Sequence, residues 1–215
     1  MISRLHYITQ NLPDFSHSQL AEFACKGGAD WVQLRVKGKT FDEWLKTAQE
    51  TKLICQKYGA KLIINDNIQI AKEICADGVH LGKEDADPQE ARIFLGDNYI
   101  MGGSTNNADD VKRMIVSGVD YIGIGPFRFT STKANLNPVL GLEGIRKIAE
   151  QFATKIPLIA IGGIKVADLD FLLQTGIYGV AVSSAINLTE QKSESASAFL
   201  NMIYIQHPKE TRTSK

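Results

Sequence analysis

The chain has 215 residues, with 24 basic side chains set against 24 acidic ones and a formal net charge of zero. Hydrophobic residues make up 44% and charged residues 22%, ordinary proportions for a globular domain, which excludes disordered, collagen-like and coiled-coil chains. The charge balance argues against a nucleic-acid partner, which draws a basic excess, and no apolar run reaches the roughly 18 residues of a membrane span.

Met1-Ile2-Ser3-Arg4-Leu5-His6 lacks the long apolar stretch and small-residue cleavage site of an export signal, so the expected compartment is the cytoplasm. Short runs rich in Val, Ile and Leu then alternate with amphipathic stretches. Strands are expected at 5–9, 31–34, 61–65, 78–81, 100–102, 121–124, 158–161 and 179–182. Helices begin between them on recognisable signals. Ser16 with Gln19, and Thr40 with Glu43, are capping boxes. Asp87-Pro88 is an N-cap with proline at the first helical position, and Asn106-Asn107 precedes Ala108-Asp109-Asp110. Further helices fit 142–152, 166–175 and 190–204. Cys25, Cys55 and Cys75 are odd in number, widely spaced and form no C-x-x-C pair; all three lie in apolar-periodic segments and read as buried free thiols.

Nearly continuous apolar strands are buried on both faces and hence parallel. Eight strand–helix units of roughly 26 residues each make an α/β fold, a single-domain (β/α)8 TIM barrel over residues 1–206, with 207–215 as a polar tail. An open doubly wound sheet is the alternative. It would carry a glycine fingerprint after the first strand, where Gln10-Asn11-Leu12-Pro13 stands instead. Nothing in the chain decides between a monomer and a homo-oligomer.

Chemistry in such a barrel sits where the strands end, and polar groups collect there. Gln33, Arg35 and Lys37 follow strand 2 on one side of an extended chain, while Leu34 and Val36 face the other way. Polar side chains aimed into a barrel mouth are costly unless a ligand meets them. Arginine beside lysine suits an oligophosphate. Asp66 follows strand 3 and Asp85 follows strand 4. Oxygen ligands from two carboxylates, completed by water and phosphate, describe a magnesium site. Asp66 competes with Asn67 for the cap of the third helix, whereas Asp87 takes the next cap and leaves Asp85 without a local role. Gly162-Gly163 and Ser183-Ser184 close strands 7 and 8, where barrels commonly bind a phosphate on backbone N–H groups. With Mg²⁺, Arg35, Lys37 and Lys133 set against the two aspartates, a net charge of about +3 nearly balances a pyrophosphate. Two anionic subsites are therefore expected, a pyrophosphate beside the metal and a monophosphate on the strand 7–8 rim. His6 and His80 lie within strands and read as hydrogen-bonded core residues; His17 and His207 read as exposed. Neither serine pairs with a histidine in a nucleophile signature.

Taken together, Gln33-x-Arg35-x-Lys37, Ile64-Asn65-Asp66, Asp77-Gly78-Val79-His80-Leu81-Gly82-x-Glu84-Asp85, Gly125-Pro126 with Thr130-x-Thr132-Lys133, and Ile161-Gly162-Gly163-Ile164 resemble the thiamine phosphate synthase family in order and spacing, from strand 1 through Ser184. The resemblance implies a (β/α)8 enzyme that transfers the pyrimidinylmethyl group of a hydroxymethylpyrimidine pyrophosphate to the nitrogen of a thiazole phosphate, releasing pyrophosphate. In that family the carbon–oxygen bond breaks early to a pyrimidinylmethyl cation stabilised by the ring amino group. Carried over by motif, Gln33, Arg35, Lys37 and Asn65 would hold the pyrimidine pyrophosphate, Asp66 and Asp85 the Mg²⁺, and Ser104 the pyrimidine substrate. Thr130, Thr132 and Lys133 would meet the thiazole side and the departing pyrophosphate. Gly163, Ser183 and Ser184 would bind the thiazole phosphate through backbone groups. Arg35, Lys37 and Lys133 are the expected catalytic cations, and the segment 127–140 the expected lid. Two departures stand out: Asn106-Asn107 replace a histidine common in the family, and Lys83 replaces a glutamine outside the expected site. A thiazole tautomerase-like isomerase and a non-catalytic thiamine phosphate sensor are the alternative activities; the intact Asp66/Asp85 pair favours the synthase.

Overall fold

The computed structural model describes residues 1–129 and 138–206. Its eight strands are β1 (Leu5–Ile8), β2 (Trp31–Leu34), β3 (Lys61–Asn65), β4 (Gly78–Leu81), β5 (Ile100–Thr105), β6 (Tyr121–Ile124), β7 (Leu158–Ile161) and β8 (Gly179–Val182). They pair in parallel, each with the next, and β8 closes onto β1 through Leu5↔Val180 and Tyr7↔Val182. The expected closed barrel is the observed one.

The helical start signals act as their chemistry dictates. Gln19 N–H donates to Ser16 Oγ while Ser16 N–H donates to Gln19 Oε1, opening α1 (His17–Lys26). Thr40 and Glu43 do the same for α2 (Phe41–Tyr58). Asn67 Oδ1 accepts from Ile70 N–H at the start of α3 (Ile68–Glu73). Asp87 caps α4 (Pro88–Leu95) and Asn107 caps α5 (Ala108–Val116). The second half adds α6 (Gly141–Phe152) and α7 (Leu169–Leu173), then α8 (Ser184–Asn187) and α9 (Lys192–Gln206). Among the described residues no helix is long and apolar enough to cross a membrane.

Two cores follow from the two faces of the strands. Outward residues such as Leu34, Val36, Ile64, Leu81 and Ile124 pack beneath the helices. Inward residues Ile8, Trp31, Ile63, Tyr121, Ile159 and Ala181 fill the lumen. There His6 stacks on Trp31 with ring centroids 4.3 Å apart and meets the edge of Tyr121 at 4.8 Å. Room for this pile comes from Gly102, where a Cβ would stand 2.2 Å from the Tyr121 ring and 2.6 Å from His80 Nδ1.

Several sequence expectations need correction. β5 runs on to Thr105 instead of ending at 102, because Ser104 and Thr105 pair with Gly123 and Ile124 of β6. The helix expected over 166–175 splits into a 3-10 turn, Val166–Asp168, and α7, since Asp168 turns its carboxylate back to Lys165 N–H and across to Arg128. The last helix begins at Lys192, after α8, which the apolar pattern does not reveal. Cys25 and Cys55 are buried thiols, but Cys75 is exposed, in a left-handed turn (φ +50°) after α3 that swings its side chain outward. His17 is half-buried, not exposed. The expected tail, with His207, lies outside the described residues.

Candidate active site

The β2 alternation holds at the mouth. Leu34 and Val36 are buried under the helices, while Gln33 points inward and Gln33 Nε2 donates to Asn65 Oδ1 at 2.9 Å. Two buried amides satisfy one another across neighbouring strands, and each keeps capacity for a further partner. Further out, Lys37 Nζ meets Asp66 Oδ2 at 2.5 Å. Asp66 has φ +67°, a left-handed conformation that aspartate tolerates better than most residues. With Asn67 taking the cap of α3, the Asp66 carboxylate has no helix to serve. Arg35 is half-buried, its backbone N–H fixed on Thr9 Oγ1 at 3.1 Å.

Asp85 is not without a backbone partner, contrary to the sequence expectation: its Oδ2 accepts Gly82 N–H at 2.6 Å and closes the loop after β4. Burial raises its pKa above the usual carboxylate range, and a hydrogen bond with the Asp66 carboxyl raises it further, against the opposing pull of Gly82 N–H and Lys37. Strands β3 and β4 thus bring Asp66 and Asp85 into contact. Two carboxylates pressed together are a site in need of a cation. Among the described residues no group of three or more His, Cys, Asp or Glu stands ready for a metal, so the candidate set is this oxygen-only pair, of the kind magnesium uses with water and phosphate.

On the next strand, Ser104 Oγ lies 2.8 Å from His80 Nε2, whose Nδ1 lies 3.0 Å from Tyr121 OH. His80 is the hydrogen-bonded lumen residue its position suggested. A cavity of about 570 Å³ borders Asp85 and Ser104. Lys83 borders it too, its Nζ 3.7 Å from Asp110.

The other side of the same rim is built by the ends of β7 and β8. Gly162 and Gly163 have φ +109° and +64°, and a Cβ on Gly163 would stand 2.5 Å from Arg128 Cγ. The glycine pair therefore also answers to the close approach of the neighbouring loop. Ser183 leads into α8, where the N–H groups of Ser184 and Ala185 have no intrahelical acceptor. Ser183 Oγ donates to Gln10 Oε1 at 3.2 Å and accepts from Asn187 Nδ2 at 3.1 Å.

Thr130, Thr132, Lys133 and most of the expected lid lie outside the described residues. Its two ends are fixed by contacts that sequence reasoning missed. Arg128 forms a two-pronged ion pair with Asp168 (2.7 and 2.9 Å) and donates to Gly163 O at 2.8 Å. Burial works to raise the Asp168 pKa, but the guanidinium and Lys165 N–H hold it below its usual value. Asn106, in the histidine's place, donates to Gly125 O at 2.7 Å and Pro138 O at 2.9 Å. Contacts spanning up to 40 residues leave no local sequence signal.

The sequence profile of the thiamine monophosphate synthase family matches residues 5–186. The chain belongs to that family. The thiamine-phosphate synthase of Phocaeicola vulgatus is 45% identical over 185 residues, 85% of this chain and 89% of the relative. That of Bacteroides fragilis is 42% identical over 201 residues, 92% and 98% of the two chains. The solved structure of a thiamine phosphate pyrophosphorylase from Pyrococcus furiosus superposes with a TM-score of 0.85 at 30% identity, covering 94% of this chain and 96% of that one. As a thiamine monophosphate synthase family member the protein is a transferase that makes thiamine phosphate. Its closed eight-stranded barrel is the fold of the Pyrococcus structure.

Proposed function

We propose that the chain joins a pyrimidine pyrophosphate to a thiazole phosphate through two anion subsites on one barrel rim, residues 1–206 forming one catalytic domain. Gln33 and Asn65 hold the pyrimidine pyrophosphate together with Arg35 and Lys37, and Ser104 contacts the pyrimidine substrate. Asp66 and Asp85 hold Mg²⁺, which when bound neutralises charge on the leaving pyrophosphate. The donor set fits that ion: oxygen only, paired, and with the Asp85 carboxyl pushed toward its neutral form first by burial and then by Asp66.

Arg35 and Lys37 stabilise the negative charge that grows as the carbon–oxygen bond breaks and its electron pair leaves with the pyrophosphate. Lys133 acts with them, and Thr130 and Thr132 line the thiazole side. The ring amino group of the substrate supports the pyrimidinylmethyl cation, and the thiazole nitrogen lone pair closes the new carbon–nitrogen bond. No protein base is required by this scheme. Gly163, Ser183 and Ser184 anchor the thiazole phosphate on backbone N–H groups, orienting the nitrogen toward the cation.

The observation that carries the reading is the Lys37–Asp66–Asp85 contact beside the Gln33–Asn65 pair. Its test is thiamine phosphate formation from both substrates with and without EDTA. Turnover only with both substrates and metal is expected; metal-independent turnover, or conversion of the thiazole phosphate alone, would remove it.

A further inference from the structure

The backbone that carries Arg35 and Lys37 is fastened by three residues of which none belongs to the expected site. Thr9 and Asn11 follow β1, and His17 opens α1. Arg35 N–H donates to Thr9 Oγ1 at 3.1 Å, and His17 Nδ1 lies 2.8 Å from the same hydroxyl. His17 Nε2 lies 3.0 Å from Asn11 Oδ1, which also accepts Lys37 N–H at 3.4 Å, while Asn11 Nδ2 donates to Lys37 O at 2.7 Å.

With a neutral His17 ring the donors and acceptors admit one consistent arrangement. Asn11 Nδ2 serves a carbonyl, so its Oδ1 is the acceptor and His17 Nε2 must carry the proton. His17 Nδ1 is then bare and accepts the Thr9 hydroxyl proton, leaving Thr9 Oγ1 lone pairs for Arg35 N–H. A neutral ring makes both bonds, and burial, which lowers the His17 pKa to about 4, favours that form. The circuit closes on the backbone of Arg35 and Lys37, the two cations assigned to the proposed pyrophosphate subsite.

We propose that His17 is a positioning residue for the reaction, a neutral imidazole that fixes the Arg35–Lys37 backbone through Thr9 and Asn11 so that both cations meet the pyrophosphate together. This rests on the reading that Arg35 and Lys37 hold that group. A point charge on a flexible stem gains most when its Cα is held in place.

The test compares His17→Leu, His17→Gln and Thr9→Val with Arg35→Gln as a reference, using steady-state kinetics with each substrate varied and inhibition by inorganic pyrophosphate. His17→Leu should raise the KM for the pyrimidine pyrophosphate and the inhibition constant for pyrophosphate about tenfold, the effect of one or two net hydrogen bonds. The KM for thiazole phosphate should stay within about twofold on the same grounds. His17→Gln, which keeps one donor and one acceptor, should recover most of the loss. Thr9→Val, nearly isosteric, should reproduce the defect even if His17→Leu does not fold. Equal changes in both KM values, no change, or no advantage of Gln over Leu would overturn the positioning role while Arg35→Gln still raised the pyrimidine pyrophosphate KM. An Arg35→Gln variant with unchanged KM would instead bring down the subsite reading, and the positioning role with it.

Discussion

Replacing Asp85 by Asn separates the two duties of this carboxylate. An amide oxygen can still accept Gly82 N–H, so the loop after β4 stays closed, and the contact with the Asp66 carboxylate loses its charge conflict. The metal-free variant should therefore be at least as stable as the parent, whereas Asp85→Ala, which drops the loop bond, should lose about 1 kcal/mol. The parent should respond to Mg²⁺. At a hundredfold excess over its dissociation constant, binding adds about 2.7 kcal/mol to the native state. At about 2–4 °C per kcal/mol for a chain of this size, the thermal midpoint should rise by about 5–10 °C. Asp85→Asn should show little of that rise and should lose roughly a hundredfold in turnover, about 2.7 kcal/mol of transition-state stabilisation. Thermal melts across a magnesium titration, beside turnover on the same samples, measure both. A variant that keeps the full magnesium-dependent rise and full turnover would refute the assignment of Asp85 as a metal ligand.

Gly102→Ala should destabilise the fold by about 1–3 kcal/mol, read from urea midpoints, because the added methyl would overlap the Tyr121 ring; an unchanged midpoint would mean that the lumen pile relaxes freely. Ser104→Ala should raise the KM for the pyrimidine substrate several-fold, an expectation of roughly one lost hydrogen bond, and an equal change for thiazole phosphate would count against the placement. Lys133→Ala should lower kcat more than it raises the thiazole phosphate KM, and the reverse pattern would shift Lys133 from bond cleavage to binding. Acid should loosen the fold through its buried imidazoles. Burial, then the charge of His80, pushes the His6 pKa down to about 3, and burial pushes that of His17 to about 4, from an unfolded value of 6.5. The folded chain therefore binds fewer protons than the unfolded one, so this stability is complete above about pH 6.5 and falls with pH below it. For a fully buried ring such as His6 the loss approaches about 1.4 kcal/mol per pH unit. Urea midpoints at pH 7 and pH 5 should differ accordingly, less so in a His6→Asn variant, and a flat profile would contradict it.

The strands were legible because both of their faces are buried, which writes Val, Ile and Leu into nearly every position. β5 was cut short for the converse reason. Gly102, Gly103, Ser104 and Thr105 carry little local strand signal, and their pairing with β6 decides the matter. Helix starts were legible from caps, which are local. The four-residue α8 was not, since a single turn has no period to read. At the site, Gln33, Asp66 and Asp85 stand out in the sequence as polar groups at or just past apolar strands, while the roles proposed for Asn65 and Ser104 rest on the family motifs. Arg128 with Asp168, and His17 between Thr9 and Asn11, do not stand out. Their meaning is a pairing, and nothing in the spelling of either partner points to the other.

The stacked rings of His6, Trp31 and Tyr121 have a consequence for traffic. They stopper the far end of the barrel, so it is a blind cup and not a tube. Reactants and both products share a single doorway. Thiamine phosphate and pyrophosphate therefore both leave from the strand-end rim.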